Sequence, residues 1–408
     1  MSNHDTIQVF EHQFLPVEGN FKQHHFVALA KLNALHKDCY FDVRHNGIKF
    51  KQFVGIVQVD GLTIEILPKI DAAGGNEIVW RNVLIDMLKV TKKLKVQKVG
   101  EADVTKQSIH LLDIYFEWFL NEVQLLTRQG LIKQYYRETS NVKAFKGKLE
   151  FAGHITKNLI HKERFYTSHQ VYDKDHLIHQ ILAKALTIIE HLTKGGYLYS
   201  TCKSVQLDFP EVKDVNVNAG TFTKIHKSRK TAPYATALAI ARLIILNYAP
   251  NLSKGNEKML ALLFDMNNLW EEYILARLQE SVIDVKVHGQ HSKTFWHDIT
   301  IRPDIVIEKD ETFFVIDTKW KNIEYSNPST HDLRQMYVYN DYWGSNLAIL
   351  LYPSHNTVLP DFKHYESIAL KTPHHKCGIG KISIFDENKK SLNKDIGTEI
   401  IDWFTQHK

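Results

Sequence analysis

Cysteine is scarce. The three cysteines in 408 residues, Cys39, Cys202 and Cys377, stand far apart, so they supply neither a disulfide framework nor a paired Cys-x-x-Cys zinc ligand set. Long hydrophobic runs are missing too. The most apolar stretch, Thr236 to Ala249, has 14 residues and carries Arg242. A membrane-spanning helix needs about 20 such residues, so the stretch reads as a buried or amphipathic helix and no membrane association is expected. The chain has no Gly-x-x-x-x-Gly-Lys-Ser/Thr phosphate loop. Gly378-Ile379-Gly380-Lys381 is its nearest imitation, with the wrong spacing and no hydroxyl. Neither a Gly-x-Ser-x-Gly elbow nor a His-Glu-x-x-His helix occurs. An excess of one charge is also lacking: Lys plus Arg number 51 against 46 Asp plus Glu, a net +5. That balance permits an acidic partner without requiring one. The first residues, Met1-Ser2-Asn3-His4-Asp5, show no charged-then-apolar leader; with unpaired thiols, this makes a cytoplasmic protein the expectation.

What is present is ordinary globular material. Hydrophobic residues make up 44% and charged residues 24%, which excludes disorder and collagen-like repetition. The length is enough for two or three domains at ~100–200 residues each. Short β-type runs occupy the first 70 residues, at Cys39 to Arg44, Phe53 to Val59 and Leu62 to Leu67, with Asp60-Gly61 as a turn and Pro68 as a stop. Apolar residues at helical spacing follow over Glu77 to Val90 and Ser108 to Arg128. Residues 131–165 are polar, basic and β-prone. Asp173 to Leu192 and Tyr234 to Asn247 read as helices around a looser, proline-interrupted Val205 to Asn218.

The last 150 residues have the clearest pattern. A helix is expected over Glu257 to Gln279 and strands over Ile283 to Val287, Ile299 to Ile307 and Phe313 to Trp320. A helix over Thr330 to Tyr342 and a strand over Leu347 to Tyr352 complete an α-β-β-β-α-β order. Within it, Arg302-Pro303-Asp304 precedes Asp317-Thr318-Lys319 by 12 residues. Asp317 and Lys319 are two apart on a strand, so both side chains leave one face. Asp304, on the preceding strand of the hairpin, can meet them across the pair. Two carboxylates and an ammonium at one sheet edge suit metal-dependent phosphodiester cleavage. Mg²⁺ is held by one or two carboxylates plus water and phosphate, and a lysine can orient the attacking water and offset developing charge. Asp304 and Asp317 are the expected metal ligands. Glu271, on the preceding helix, offers a further carboxylate, in competition with the adjacent Glu272. Gln335 and Tyr339 share a face of the following helix, being four apart.

These residues resemble a known family. Residues 256–352 look like the PD-(D/E)xK nuclease superfamily, in the branch that carries a Gln-x-x-x-Tyr helix. Most of the chain resembles the McrC subunit of McrBC-type restriction systems, through Phe53-Val54-Gly55-Ile56-Val57, Ile64-Glu65-Ile66-Leu67-Pro68-Lys69-Ile70, Leu263 to Tyr273, Arg302-Pro303-Asp304 and Asp317-Thr318-Lys319-Trp320-Lys321. Gly147-Lys148-Leu149 and Tyr234 with Leu243 match more loosely, and residues 196–226 have no strong counterpart. The resemblance implies an α/β (α+β) chain. A β-rich and helical docking region at 1–165 (β-rich 1–70, helical 77–130, basic 131–165) would precede a helical and nuclease domain at 166–408, its core at 256–352 folded αβββαβ. It also implies a division of labour. A McrB-like AAA+ GTPase hexamer recognises modified-cytosine DNA and translocates, while the McrC-like subunit docks on the ring, stimulates hydrolysis and cuts double-stranded DNA with Mg²⁺. Asp304, Asp317 and Lys319 match the family's catalytic positions. Two other functions fit the same residues: an adaptor that activates the GTPase without cutting, and a nuclease that needs no partner.

Other signals are weaker. Lysines at 89, 92, 93, 95 and 98 read as a solvated helix end. Lys224, His226, Lys227, Arg229 and Lys230 form a second basic cluster suited to phosphate contact. Histidine is abundant at 23 residues, but neither His24-His25 nor His374-His375-Lys376-Cys377 has structural zinc spacing. Trp320, Tyr337, Tyr339 and Tyr342 are read as core.

Overall fold

The computed structural model describes residues 5–70, 77–91, 93, 111–250, 258–281, 285–321, 328–366, 375–386 and 391–406. The chain forms two compact units, each assembled from segments distant in sequence: Asp5–Val96 with Leu263–Lys408, and Gln97–Leu262 with Met1–His4. The expected boundary at 165/166 falls inside the second of these, and residues 5–96 share a unit with the C-terminal 146. Mixed α/β architecture runs through both units. Among the described residues no helix is long and apolar enough to cross a membrane.

The unit that contains the acidic constellation begins with a small sheet. Leu62–Leu67 pairs antiparallel with Phe53–Val59 and parallel with Asp5–Phe10. Every residue of Leu62–Leu67 is buried, as expected of a central strand with covered faces. Asp60 and Gly61 both take positive φ, 46° and 82°, the two-residue hairpin turn whose twist matches the flanking strands. A carboxylate lies in the middle of that apolar strand. Glu65, 1% exposed, accepts from Arg81 Nε at 2.9 Å on both oxygens and from Gln8 Nε2 at 2.7 Å. Arg81 comes from the helix Glu77–Val90. In the helix Gln23–Leu35, His25 accepts the Lys22 N–H through Nδ1 at 3.1 Å, a capping bond rather than metal ligation.

The same unit carries a six-stranded sheet in the order Lys286–Gly289, Ile305–Lys309, Thr312–Thr318, Leu347–Ser354, Lys376–Ser383, Val358–His364. The first three strands are antiparallel, the next two pairings are parallel, and the last strand returns antiparallel. The helix Thr330–Trp343 packs Met336, Tyr339 and Trp343 against Val306, Val315, Ala348 and Leu350 of the sheet. The helix Met266–Glu280 packs against the helices Glu77–Val90 and Ile396–Thr405.

Several expected boundaries move, each for a physical reason. The helix expected over Glu257 to Gln279 is a strand over Lys258–Asp265 and a helix over Met266–Glu280; residue 257 is outside the described residues. A short continuous apolar run does not by itself tell a buried strand from a buried helix. Asp265 ends the strand and caps the helix, accepting the Asn267 N–H at 2.9 Å. The strand expected over Ile299 to Ile307 splits into Ile299–Ile301 and Ile305–Lys309, because Pro303 has no N–H for a ladder. Ile299–Ile301 forms a separate hairpin with Lys293–Trp296. The strand expected from Ile283 is Lys286–Gly289, with residues 282–284 outside the described set. The sheet and helix beyond residue 352 extend the core past its expected end.

The second unit is a helical cluster with a three-stranded sheet, a long ribbon of Gln134–Val142 against Phe165–Asp173 to which Lys148–Leu149 adds a short third strand. The expectation of β structure over 131–165 is overturned at Phe151–Asn158, which is helical. Asp173 closes the ribbon and the following helix starts at Leu177. Val205 to Asp208 complete the helix Tyr197–Asp208 rather than opening a loop. The helix expected from Ser108 is described from Leu111, residues 108–110 lying outside the described set. A buried polar relay ties this unit together. Ile132 N–H donates to Tyr234 OH at 3.0 Å, which donates to His179 Nε2 at 3.3 Å, while His179 Nδ1 donates to the Lys174 carbonyl at 2.7 Å. Burial, with His176 beside it, pushes His179 down to about 4, so the ring is neutral.

Candidate active site

The strand Thr312–Thr318 is an interior strand, antiparallel to Ile305–Lys309 and parallel to Leu347–Ser354. Its C-terminal end continues the ladder, with Lys319 N–H donating to the Leu351 carbonyl at 2.9 Å. The antiparallel register pairs Ile305 with Ile316, so Asp304, one residue further, continues opposite Asp317. Alternation along the strand sends Asp317 and Lys319 to one face, and Lys319 Nζ lies 2.6 Å from Asp317 Oδ2. Lys319 Nζ is also 4.0 Å from Asp332 Oδ1, in the first turn of the helix Thr330–Trp343. Asp304, Asp317 and Lys319 therefore converge as the spacing predicts.

The field at this point is strongly anionic. Asp317 is 2% exposed; burial first, then the charge of Asp304, pushes its carboxyl up to about 6 against the pull of Lys319. Burial likewise raises Asp304, although Asp304 Oδ2 accepts from the Thr318 N–H at 2.7 Å and the Thr318 hydroxyl at 2.9 Å. Burial opposes the charge on Lys319, but Asp317 beside it, with Asp304 and Asp332, holds the ammonium above its ordinary range. Apart from its ion pair, Asp317 Oδ2 has no hydrogen-bond partner among the described residues. Carboxylates raised by burial, one of them also by its neighbour's charge, are where a cation is most favourable. Among the described residues no three His, Cys, Asp or Glu side chains form a protein-only metal cage. The Asp304–Asp317 pair fits a hard ion that keeps water and substrate oxygens, as Mg²⁺ does.

Glu271 and Glu272 separate cleanly. Glu272 pairs with Lys93 at 2.9 Å. Glu271 accepts from Gln290 Nε2 at 2.8 Å; burial and then Asp304 push it up to about 7. Gln335 donates to the Tyr339 hydroxyl at 2.7 Å, and that hydroxyl donates to the Arg302 carbonyl at 2.9 Å. Tyr339 is thus buried and holds the segment that presents Asp304, while Gln335 steadies Tyr339 and touches neither carboxylate. Of the wider signals, Lys89 pairs with Asp86. Lysines 92, 95 and 98 and His374 lie outside the described residues. Lys224, His226, Lys227, Arg229 and Lys230 are exposed.

Sequence reasoning missed Thr318 as the donor to Asp304, although it stands between the two expected catalytic residues; a strand side chain one residue out of phase with Lys319 is expected on the opposite face. It also missed Gln290, whose N–H bonds the Asp304 carbonyl at 2.8 Å and whose positive φ of 51° marks a built turn. No sequence signal points to Glu11, which the fold brings to Trp320.

Comparison with known proteins gives the chain a family. The chain is similar to the Escherichia coli (strain K12) type IV methyl-directed restriction enzyme EcoKMcrBC, 23% identical over 276 residues that cover 61% of this chain and 79% of the relative. Its fold is similar to a chain in the half-complex of the tetradecameric Thermococcus gammatolerans assembly of McrB AAA+ hexamers with bound McrC. That likeness has a TM-score of 0.69 at 19% identity and covers 99% of this chain and 100% of the other. A chain of the Thermococcus gammatolerans McrBC complex matches with a TM-score of 0.50 at 19% identity, over 69% of this chain and 90% of that one. The model of the McrBC 5-methylcytosine restriction system component family matches residues 48–353. With that match spanning most of its length, the chain belongs to the McrBC family of 5-methylcytosine restriction system components.

Proposed function

We propose that this chain is the DNA-cleaving subunit of a GTP-dependent restriction complex directed at modified cytosine, an Mg²⁺-dependent endodeoxyribonuclease of the PD-(D/E)xK type. The observation that carries the reading is the convergence of Asp304, Asp317 and Lys319 at one sheet end, where burial, and for Asp317 the charge of Asp304, leave the carboxylates in want of a cation. Asp304 and Asp317 would hold the divalent ion, which when bound polarises a phosphoryl oxygen and acidifies water. The chain's own groups account for the remainder. Thr318 fixes one oxygen of Asp304 through both its N–H and its hydroxyl and does not engage the other. Lys319 is protonated, so it orients the nucleophilic water and offsets charge on the pentacoordinate phosphorus rather than removing a proton. Glu271, raised to about 7, is suited to receive that proton near neutral pH. Tyr339, supported by Gln335, keeps Asp304 in register through the Arg302 carbonyl.

The partner in this reading is a McrB-like AAA+ GTPase hexamer, in line with the assemblies of the structural relatives. The exposed apolar residues of the second unit support docking there. Phe151, Ile155 and Leu159 line one side of a short helix at 70%, 64% and 72% exposure, beside the exposed loop Lys143 to Lys148. Apolar surface left open in this way marks an interaction site.

The test is Asp317→Ala in the complex with its GTPase. Cutting of methylated duplex in Mg²⁺ and GTP should vanish while stimulated GTP hydrolysis persists. Continued cutting overturns the assignment. Digestion by the purified chain with Mg²⁺ alone would make it a nuclease that needs no partner, and stimulation without any cutting by the wild type would make it an adaptor.

A further inference from the structure

Beside the carboxylates lies a cavity of about 710 Å³ that the proposed chemistry leaves unused. One wall is the hairpin Lys293–Trp296 with Ile299–Ile301, and the other is the helix Thr330–Trp343. The walls are tied to one another: Lys293 Nζ donates to the Tyr342 carbonyl at 2.8 Å, the Tyr342 hydroxyl donates to the Phe295 carbonyl at 3.3 Å, and the two rings stand 5.4 Å apart. The inner end reaches the proposed catalytic set through Gln290, bonded to Glu271, and through Tyr339, bonded to Arg302.

Two features decide what the cavity suits. Arg302 and Arg334 both line it, both are exposed, and among the described residues neither has a carboxylate at ion-pair distance. Arg302 feels the charges of Glu271 and Asp304 at longer range, but neither guanidinium is held in a close ion pair, and such groups match phosphate oxygens, which they bind as a planar fork. The hairpin also ends in two open aromatic side chains: Phe295 is 44% and Trp296 63% exposed. His297 after them takes φ of 48°, which turns the chain at the tip. A tryptophan is rarely left that open, and an aromatic face beside a basic cleft is the arrangement on which bases stack.

We infer that this cavity is a flanking subsite for the nucleic-acid strand being cut, in which Arg302 and Arg334 grip a phosphate next to the scissile one and Trp296 packs on a neighbouring base. The inference rests on reading the acidic site as a DNA phosphodiesterase. A nucleic acid fits better than a protein partner because the lining includes Gln290, which is bonded to Glu271, and Arg302, which adjoins Asp304 in the chain, and because no acidic side chain lines it.

The experiment uses the full chain carrying Asp317→Asn, so that no cutting occurs, and a fluorescein-labelled random-sequence DNA duplex read by anisotropy over a range of KCl concentrations. Adding Arg334→Ala should weaken binding about tenfold and lower the slope of log affinity against log salt by about 1, the mark of one lost phosphate contact. Arg334→Lys should restore the slope. Trp296→Ala should weaken binding about tenfold with the slope unchanged, since stacking releases no counterion. Absence of duplex binding by the parent, or unchanged affinity and slope in Arg334→Ala, overturns the subsite. A Trp296→Ala chain that binds DNA normally but assembles poorly with the GTPase overturns the base contact and makes the hairpin a protein-docking element. Failure of the nuclease reading shows separately: wild-type chain with GTPase, GTP and Mg²⁺ would leave DNA intact while the Arg334 salt effect remained.

Discussion

The indole N–H of Trp320 donates to Glu11 Oε1 at 2.7 Å, joining residues 309 positions apart. The same oxygen accepts the Lys69 N–H at 2.9 Å, and Glu11 Oε2 faces His12 Nε2 at 3.7 Å. Trp320 follows Lys319 directly and meets Trp270 edge-on at 5.5 Å. A carboxyl just after the strand Asp5–Phe10 thereby fixes Trp320, two residues beyond the strand Thr312–Thr318.

Glu11 is 4% exposed, and burial pushes it up to about 7 in spite of the hydrogen bonds from Lys69 and Trp320. The folded chain then holds this proton more tightly than the unfolded chain does. Its contribution to stability is complete below about pH 4.5 and is lost as pH rises through about 7. Thermal unfolding followed by circular dichroism should show wild type losing stability over that interval. Glu11→Gln should flatten the profile; an equal slope in the variant would show that Glu11 does not titrate there.

Tyr339→Phe removes the hydroxyl that donates to the Arg302 carbonyl and accepts from Gln335. A loss of about 1 kcal/mol in stability is expected. Cleavage should fall mainly in kcat, because Asp304 would be less well held while Arg334 and Trp296 keep their proposed DNA contacts. A change confined to KM would mean that Tyr339 contacts substrate instead.

Thr318→Val keeps the backbone donor to Asp304 and removes the hydroxyl donor at 2.9 Å. Groups that orient a metal's ligands typically cost about 10–100-fold in metal affinity when removed. The Mg²⁺ concentration for half-maximal cutting should therefore rise about tenfold, with the maximal rate recovered at saturating metal. An unchanged requirement would remove Asp304 from the metal.

Arg81→Met leaves the Glu65 carboxylate buried in its strand with Gln8 as its remaining partner. Breaking one side of such a buried pair costs about 3–5 kcal/mol. The double change with Glu65→Leu should regain most of that loss in denaturant titrations. Equal instability in single and double variants would show that packing, rather than the stranded charge, sets the cost.

Local rules carried much of the reading. The Asp60-Gly61 turn, the helix Glu77–Val90 and the Asp317/Lys319 side-chain phase follow from backbone preference, apolar period and strand alternation, which act over a few residues. Those rules located Asp304, Asp317 and Lys319 at one sheet end, and the covalent order of the chain was enough to pair them. Where a short apolar run allowed two readings, as at Lys258–Asp265, period alone decided wrongly.

Everything that depends on long-range approach was set by the tertiary structure. Hydrogen bonds such as the buried Trp320 to Glu11 and the exposed Gln290 to Glu271 need side chains from separate elements to meet in the fold, and neither partner's sequence neighbourhood records the other. The choice of Glu271 over Glu272 came from helix rotation against its neighbours, which leaves Glu272 with Lys93. The raised carboxyl groups came from burial, a property of how much water the fold excludes. Sequence alone thus determined which chemical groups this protein has and on which elements they stand; only packing decided which of them face one another without water between.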